Sequence, residues 1–271
     1  MMAISNKKPA IIYKTAFKSK GPHMKIIISP AKKMTIDSDS FDISSLPQFL
    51  PETQEILQTL QSMSYEELRQ LWHCSDKIAQ QAYQQLQQIN LKHLLTPALV
   101  AYSGIQYQYM APSVFTAHAL QYVQDHLRIL SGFYGVLRPF DGVAPYRLEM
   151  QAPLHVANHK NLYDFWGNKP ERGLGLHHEP LINLASQEYT KTVQRYLTPA
   201  EPLINVVFGH LVDGKLKTRA TFAKMARGEM VRFLAENDIH ELSDLKQFNR
   251  LNYRFDAKRT DETTFVFLKQ D

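Results

Sequence analysis

No apolar run in this 271-residue chain is longer than a β-strand. The longest, Ile26–Ile28 and 203–208, alternate irregularly with stretches of helical periodicity. A membrane helix needs about 20 consecutive apolar residues, and nothing here approaches that. Strand-length runs without regular βαβ order predict an α+β (mixed α/β) fold, a single compact domain with a mixed β-sheet. No internal repeat, low-complexity tract or long linker divides it. The glycine spacing matches neither a dinucleotide fingerprint nor a P-loop.

The first strand is read at 25–29. Helices follow at 48–61, 65–72 and 76–89, the second with Ser64 as N-cap and Glu67 as its capping-box partner. A short strand at 99–102 ends at Gly104. A helix over 113–126 leads into a strand at 127–131. A helix starts over 161–166, a strand lies at 181–184, and Ser186 caps a helix to about 196. Asp213-Gly214 closes a hairpin between 203–212 and 215–218. A helix over 220–236 and a strand over 263–268 complete the reading.

Charge is informative once it is divided. The net charge is +5 and the pI about 9.1, which suggests nucleic acid. Residues 1–23, however, carry five lysines and no acid, leaving 26 basic and 26 acidic side chains from Met24 onward. Only local clustering of cations can therefore support nucleic-acid binding. The 1–23 segment lacks the apolar core of a secretory signal. It reads as an N-terminal extension, disordered or a start-site artefact, with Met24 as the natural start; a basic arm touching nucleic acid is the competing reading. The single cysteine, Cys74, excludes an intramolecular disulfide and a multi-cysteine zinc site. It fits a cytoplasmic protein. The histidines are scattered, so no metal or cofactor is expected.

Chemistry concentrates in 127–150, where Arg128, Arg138, Arg147, Asp141, Glu149, Tyr134 and Tyr146 lie among turn residues. Guanidinium forks suit phosphate or carboxylate. The alternative is internal pairing, Arg138 with Asp141 and Arg147 with Glu149. In the 220–236 helix, Phe222, Ala226 and Phe233 share one side, and Lys224, Arg227 and Arg232 the other. Gly228 leaves room for another backbone or a ligand to approach. Upstream, Lys215, Lys217 and Arg219 alternate along a strand. Ser29 ends the first strand before Lys32 and Lys33. The helical hairpin over 65–86 offers Lys77 to a phosphate, although it lacks the glycines that tighten such turns.

Several of these segments resemble the YaaA family of bacterial peroxide-stress-resistance proteins. They are Ile26-Ile-Ile-Ser-Pro-Ala-Lys32, Ala101-Tyr-Ser-Gly-Ile-Gln-Tyr107, the 127–150 block, Asn161-Leu-Tyr-Asp-Phe-Trp-Gly167, Asn183-Leu-Ala-Ser-Gln-Glu-Tyr189 and Ala223-Lys-Met-Ala-Arg-Gly-Glu-Met230. The likeness runs in order from Met24 to about Phe267, so the family domain is read as 24–271. It implies an unusual compact α/β fold and a role in peroxide resistance and in limiting free intracellular iron. It also implies binding of duplex or structured DNA through a basic cleft and a helix-hairpin-helix-like element, here 65–86. By position Lys32, Lys77, Arg128, Arg138, Arg147, Lys224 and Arg227 would contact DNA. Two departures stand out: a short glycine-rich stretch between Trp166 and Asn183, and His73-Cys74 in the hairpin.

Two functions follow. One is a monomeric DNA-binding protein with little sequence preference, Tyr107, Tyr134, Tyr146 or Trp166 being available for stacking. The other is an enzyme acting on a nucleotide or damaged nucleobase, with Ser29, Asp141, Glu149 and Tyr189 as catalytic candidates. A deep pocket uniting Ser29, Arg147, Glu149 and Tyr189 would favour the enzyme, and a shallow open groove the binder. Direct iron binding ranks below both, since the sequence offers no ligand cluster.

Overall fold

The run Lys-Ile-Ile-Ile becomes the centre of the sheet in the computed structural model, which describes residues 24–37 and 39–270. The reading of residues 1–23 lies outside the described residues. Strand β1 (Lys25–Ile28) has all three isoleucines fully buried, as is Met24 before it. An uninterrupted apolar strand of this kind must be covered on both faces and paired on both edges. Burying each such side chain contributes roughly 1.5–3 kcal/mol.

Helix α1 (Leu50–Ser62) follows, with proline in its first turn. Next come α2 (Tyr65–Trp72) and α3 (Asp76–Gln88), joined as a helical hairpin. The Ser64–Glu67 capping box forms as the sequence suggests, with Glu67 Oε2 accepting from the Ser64 amide at 2.8 Å. His73 takes the left-handed conformation (φ 42°, ψ 53°) that the missing glycine would otherwise supply. The Tyr65 hydroxyl donates to Asp76 at 2.6 Å and its ring packs edge-on against Tyr83, which holds the two helices together.

The strand expected at 99–102 is mostly a helical turn, Ala98–Ala101, followed by the short strand Tyr102–Ser103, which pairs with Lys33–Met34. A short apolar run without polar alternation carries no period to separate strand from helix. Gly104 then begins α4 (Ile105–Met110), a helix the sequence reading did not contain. Helix α5 (Ala117–His126), with Thr116 as N-cap, leads into β2 (Leu127–Ser131) and β3 (Gly135–Leu137). Helix α6 (Leu162–Trp166) is capped by Asn161, and α7 (Lys169–Leu174) occupies the stretch read as glycine-rich. Then come β4 (Leu181–Leu184) and α8 (Gln187–Gln194). Strands β5 (Leu203–Val212) and β6 (Lys215–Lys217) form the predicted hairpin, with positive φ at Asp213 and Gly214. Helix α9 (Ala220–Glu236) has the predicted bounds, and β7 (Tyr253–Phe255) and β8 (Thr264–Lys269) close the chain.

The strands lie in the order β7-β8-β5-β4-β1-β2-β3, with β6 paired to β5. The inner strands β8, β5, β4, β1 and β2 are mutually parallel, while β7, β3 and β6 pair antiparallel. The mixed sheet is as expected. Its connections locate the site. From β1 the chain passes to β2 on one side, then crosses back to β4 on the other. Such a reversal opens a crevice at the carboxyl ends of the two diverging strands, where open parallel sheets hold ligands.

Candidate functional site

Ser29 follows the carboxyl end of β1 and Ser186 that of β4, and they meet at the reversal. The Ser186 amide donates to Ser29 Oγ at 2.8 Å, and the two hydroxyls lie 3.2 Å apart. Ser186 thus occupies the N-cap of α8 without a side-chain capping bond. Above this pair opens a cleft of about 520 Å³. Its floor is 29–33, its walls are α2, α4, the 146–149 segment, α8 and α9.

Close backbone approaches fix those walls. A methyl group on Gly228 would overlap the carbonyl oxygen of Gln106, so α9 packs directly on α4. The sequence expectation that Gly228 admits another backbone is met there. A methyl on Gly132 would lie 3.0 Å from the Leu148 carbonyl, so this glycine lets the Arg147–Glu149 segment lie against β2's end.

Four side-chain donors lining the cleft are buried without a hydrogen-bond partner among the described residues: Trp72 Nε1, Gln106 Nε2, Arg147 Nε and Arg227 Nε. Trp72 and Gln106 are more than nine-tenths buried. Native proteins rarely leave such groups unpaired, at a cost of about 1–3 kcal/mol each and more for charged groups. Neither Arg147 nor Arg227 has an ion-pair partner among the described residues. Burial lowers the Arg227 pKa, yet an arginine stays charged at neutral pH. The alternative pairing of Arg147 with Glu149 does not form. Glu149 instead binds Lys32, with Nζ to Oε1 at 2.7 Å.

The acidic end holds Glu149 and Glu188. Glu188 is half-buried and accepts from the Gln151 amide at 3.2 Å. Desolvation raises its pKa; the nearby Glu149 charge pushes the same way, while Lys32 opposes it. Phenols complete the lining. Tyr146 shares hydrogen bonds with Ser131 at 2.7 Å and Tyr102 at 3.0 Å, and burial pushes it up to about 12. Tyr107 donates to the Ser29 carbonyl at 3.0 Å. Burial also holds Tyr189 protonated, well above the ordinary tyrosine range.

Of the sequence candidates, the cleft gathers Ser29, Lys32, Arg147, Glu149, Tyr189, Lys224 and Arg227. Arg128 lies at the opposite end of the sheet, near Lys25 and Glu179, and donates to the main-chain carbonyls of Leu127 and Gln124. Arg138 pairs with Asp141, Nη2 to Oδ1 at 3.0 Å and Nε at 3.1 Å. Asp141 is buried and also accepts from Ser45 and from the Arg138 amide. Lys77 is exposed on the first turn of α3, away from the cleft lining. Arg232 binds Glu236 on the outer side of α9. Among the aromatic candidates, Tyr107 and Tyr146 line the cleft. Tyr134 and Trp166 are fully buried and engage the main chain of Ala144 and Gly132.

Sequence reasoning passed over Trp72, Gln106 and Glu188. The last two stand inside the motifs Ala101–Tyr107 and Asn183–Tyr189, so the motifs were visible but their chemistry was not. Among the described residues, no group of three or more His, Cys, Asp or Glu is placed to hold a metal ion. No described helix is long and apolar enough to cross a membrane.

Fold and site together define an open, largely parallel α/β protein with one crevice at its strand reversal, lined by donors in excess. Residues 24–259 match the sequence profile described as peroxide stress protein YaaA, and the chain belongs to that family, whose role is in peroxide stress. It is similar to a UPF0246 protein of Lactiplantibacillus plantarum, 57% identical over 91% of this chain and 100% of the relative. A UPF0246 protein of Pediococcus pentosaceus is 52% identical over 92% and 99%. One from Agathobacter rectalis is 50% identical over 90% and 98%.

Proposed function

We propose that this protein serves the peroxide stress response in the cytoplasm by binding DNA as a monomer over the lysines at the cleft mouth. It then takes one nucleotide or damaged nucleobase into the pocket at the strand reversal. The observation that carries this reading is that Arg147 and Arg227 line one cleft from separate segments, each with its Nε buried and without a hydrogen-bond partner. Cations that line a cleft without a counter-charge call for an anion, and a planar fork suits phosphate oxygens. Lys32, Lys33 and Lys224 add charge at the rim without sequence information, as phosphate tracking requires.

The volume and lining of the cleft favour chemistry over tracking alone. A volume of about 520 Å³ suits a single nucleotide unit rather than a duplex. Ser29, Arg147, Glu149 and Tyr189 all line it. Glu188, with its raised pKa, is the acid–base candidate. On this reading the limitation of free iron is a downstream effect of the pocket's ligand. The α2–α3 hairpin, with Lys77 exposed beside it, is a second contact to the DNA backbone.

Fluorescence anisotropy of labelled duplex, single-stranded and mismatched DNA tests the proposal. The full chain is compared with Arg147→Ala and Arg227→Ala, so that the lysines of 1–23 are common to every arm. The proposal expects mismatched or single-stranded DNA to bind more tightly than duplex, with both variants weakened at least tenfold and with a flatter salt dependence. Equal binding by all three proteins would remove the cleft from the interaction.

A further inference from the structure

We infer that the pocket selects nucleotides whose base carries a ring carbonyl beside a ring N–H, Gln106 and Trp72 donating to the carbonyl. This rests on the nucleotide reading above and adds the class of base. The four unpartnered donors divide into two kinds. Arg147 and Arg227 carry charge and match a phosphate. Gln106 and Trp72 are neutral, and neutral buried donors are satisfied by neutral acceptors without the cost of desolvating an anion.

The neutral donors stand beside the charged ones on two walls of the cleft. Gln106 is on α4, where its carbonyl abuts Gly228, next to Arg227 on α9. Trp72 ends α2 and, with Tyr146 and Arg147, also lines a water-sized cavity of about 10 Å³ behind the cleft. An indole N–H has no acceptor capacity and cannot be turned to suit an exocyclic amine. Leu71, Ile105, Tyr107 and Leu148 supply apolar lining against which a flat ring packs.

The acidic end supplies the complementary group. Glu149, paired with Lys32, and Glu188 both line the cleft. A carboxylate accepts a ring N–H. Donors together with an acceptor match the edge of a 6-oxopurine or a 4-oxopyrimidine, C=O next to N–H. Adenine presents the reverse, a ring acceptor next to an amino donor.

The test is calorimetric titration of the full chain with inosine 5′-monophosphate, adenosine 5′-monophosphate and inorganic phosphate. The two nucleotides differ in the oxo or amino group at C6 and the ring proton that accompanies it. The inosine nucleotide is expected to bind at least tenfold more tightly, since a site built to hydrogen-bond a group rejects analogues lacking it. Gln106→Met and Trp72→Phe are each expected to bring the ratio toward one, with phosphate still competing. Equal affinity for the two nucleotides, both displaced by phosphate, would overturn the base selection and leave the nucleotide pocket standing. No binding of either nucleotide or of phosphate would remove the pocket reading, and the selection with it. The wild-type comparison decides the matter even if a variant fails to fold.

Discussion

Arg138 and Arg147 stand in one glycine-rich stretch and look alike in sequence, yet the fold gives them opposite surroundings. Beyond β3, Arg138 closes a buried Asp141 that also accepts from Ser45 and from the main chain. At the strand reversal, Arg147 faces a cleft with its Nε buried and unpartnered, and so does Arg227. A cation satisfied by a buried carboxylate reports on folding, whereas one whose buried donor has no partner reports on a ligand. The same residue type, equally prominent in the sequence, thus divides into structural and functional members only by its partners.

The largest effect should come from the structural side. Asp141→Ala removes the carboxylate joining Ser45 to the Arg138 turn, and unfolding in denaturant should show a loss of about 3 kcal/mol. Nucleotide affinity per folded molecule should stay unchanged. On the functional side, Arg147→Ala and Arg227→Ala should each weaken phosphate or nucleotide binding by roughly 30–100-fold, about 2–3 kcal/mol. Calorimetry measures that loss. If Asp141→Ala weakened binding as much as Arg147→Ala, the division would fail.

Smaller effects sharpen the boundary between the two regions. Gly228→Ala pushes α9 off the Gln106 carbonyl and should cost roughly 1–3 kcal/mol of stability. It should also reduce binding, because Gln106 and Arg227 move with the two helices. A loss of stability with intact binding would detach the helix contact from the site. The smallest effect is electrostatic. The folded pKa of Glu188 is raised, chiefly by desolvation. The native state therefore holds this proton more tightly than the unfolded chain. Stability should fall as pH rises from the ordinary glutamate range through the raised folded value. Glu188→Gln should flatten that part of the stability curve and be relatively more stable at neutral pH than at acid pH. Parallel curves for the two proteins would contradict the shift.

What the sequence disclosed depended on range. The Asp213-Gly214 hairpin, the Ser64–Glu67 capping box and the 220–236 helix were legible because each is set by neighbours a few residues away. The room at Gly228 was legible too, since a glycine in a strong helix needs a packing reason. Of the two internal pairings held open as the alternative, Arg138–Asp141 forms and Arg147–Glu149 does not, because adjacency in sequence says little about partners in a loop; Lys32 reaches Glu149 from the loop after β1. Trp72 and Gln106 went unnoticed as site residues because an unpaired donor is defined by what fails to surround it. Helix α4 was hidden by its shortness. The crevice itself follows from strand order, which local periodicity does not encode.

The central claim is that Arg147 is held without a counter-charge, its Nε buried and unpaired, for an anionic ligand. Thermal unfolding of the wild type and of Arg147→Ala, each with and without a saturating nucleoside monophosphate, tests it most directly. The account predicts that the ligand-free variant is at least as stable as the wild type, since the buried Arg147 Nε makes no hydrogen bond that the substitution would break. It also predicts that the nucleotide raises the wild-type Tm far more than that of the variant. A ligand-free variant well below the wild type, with an equal ligand-induced rise in both, would make Arg147 a structural residue and contradict the account.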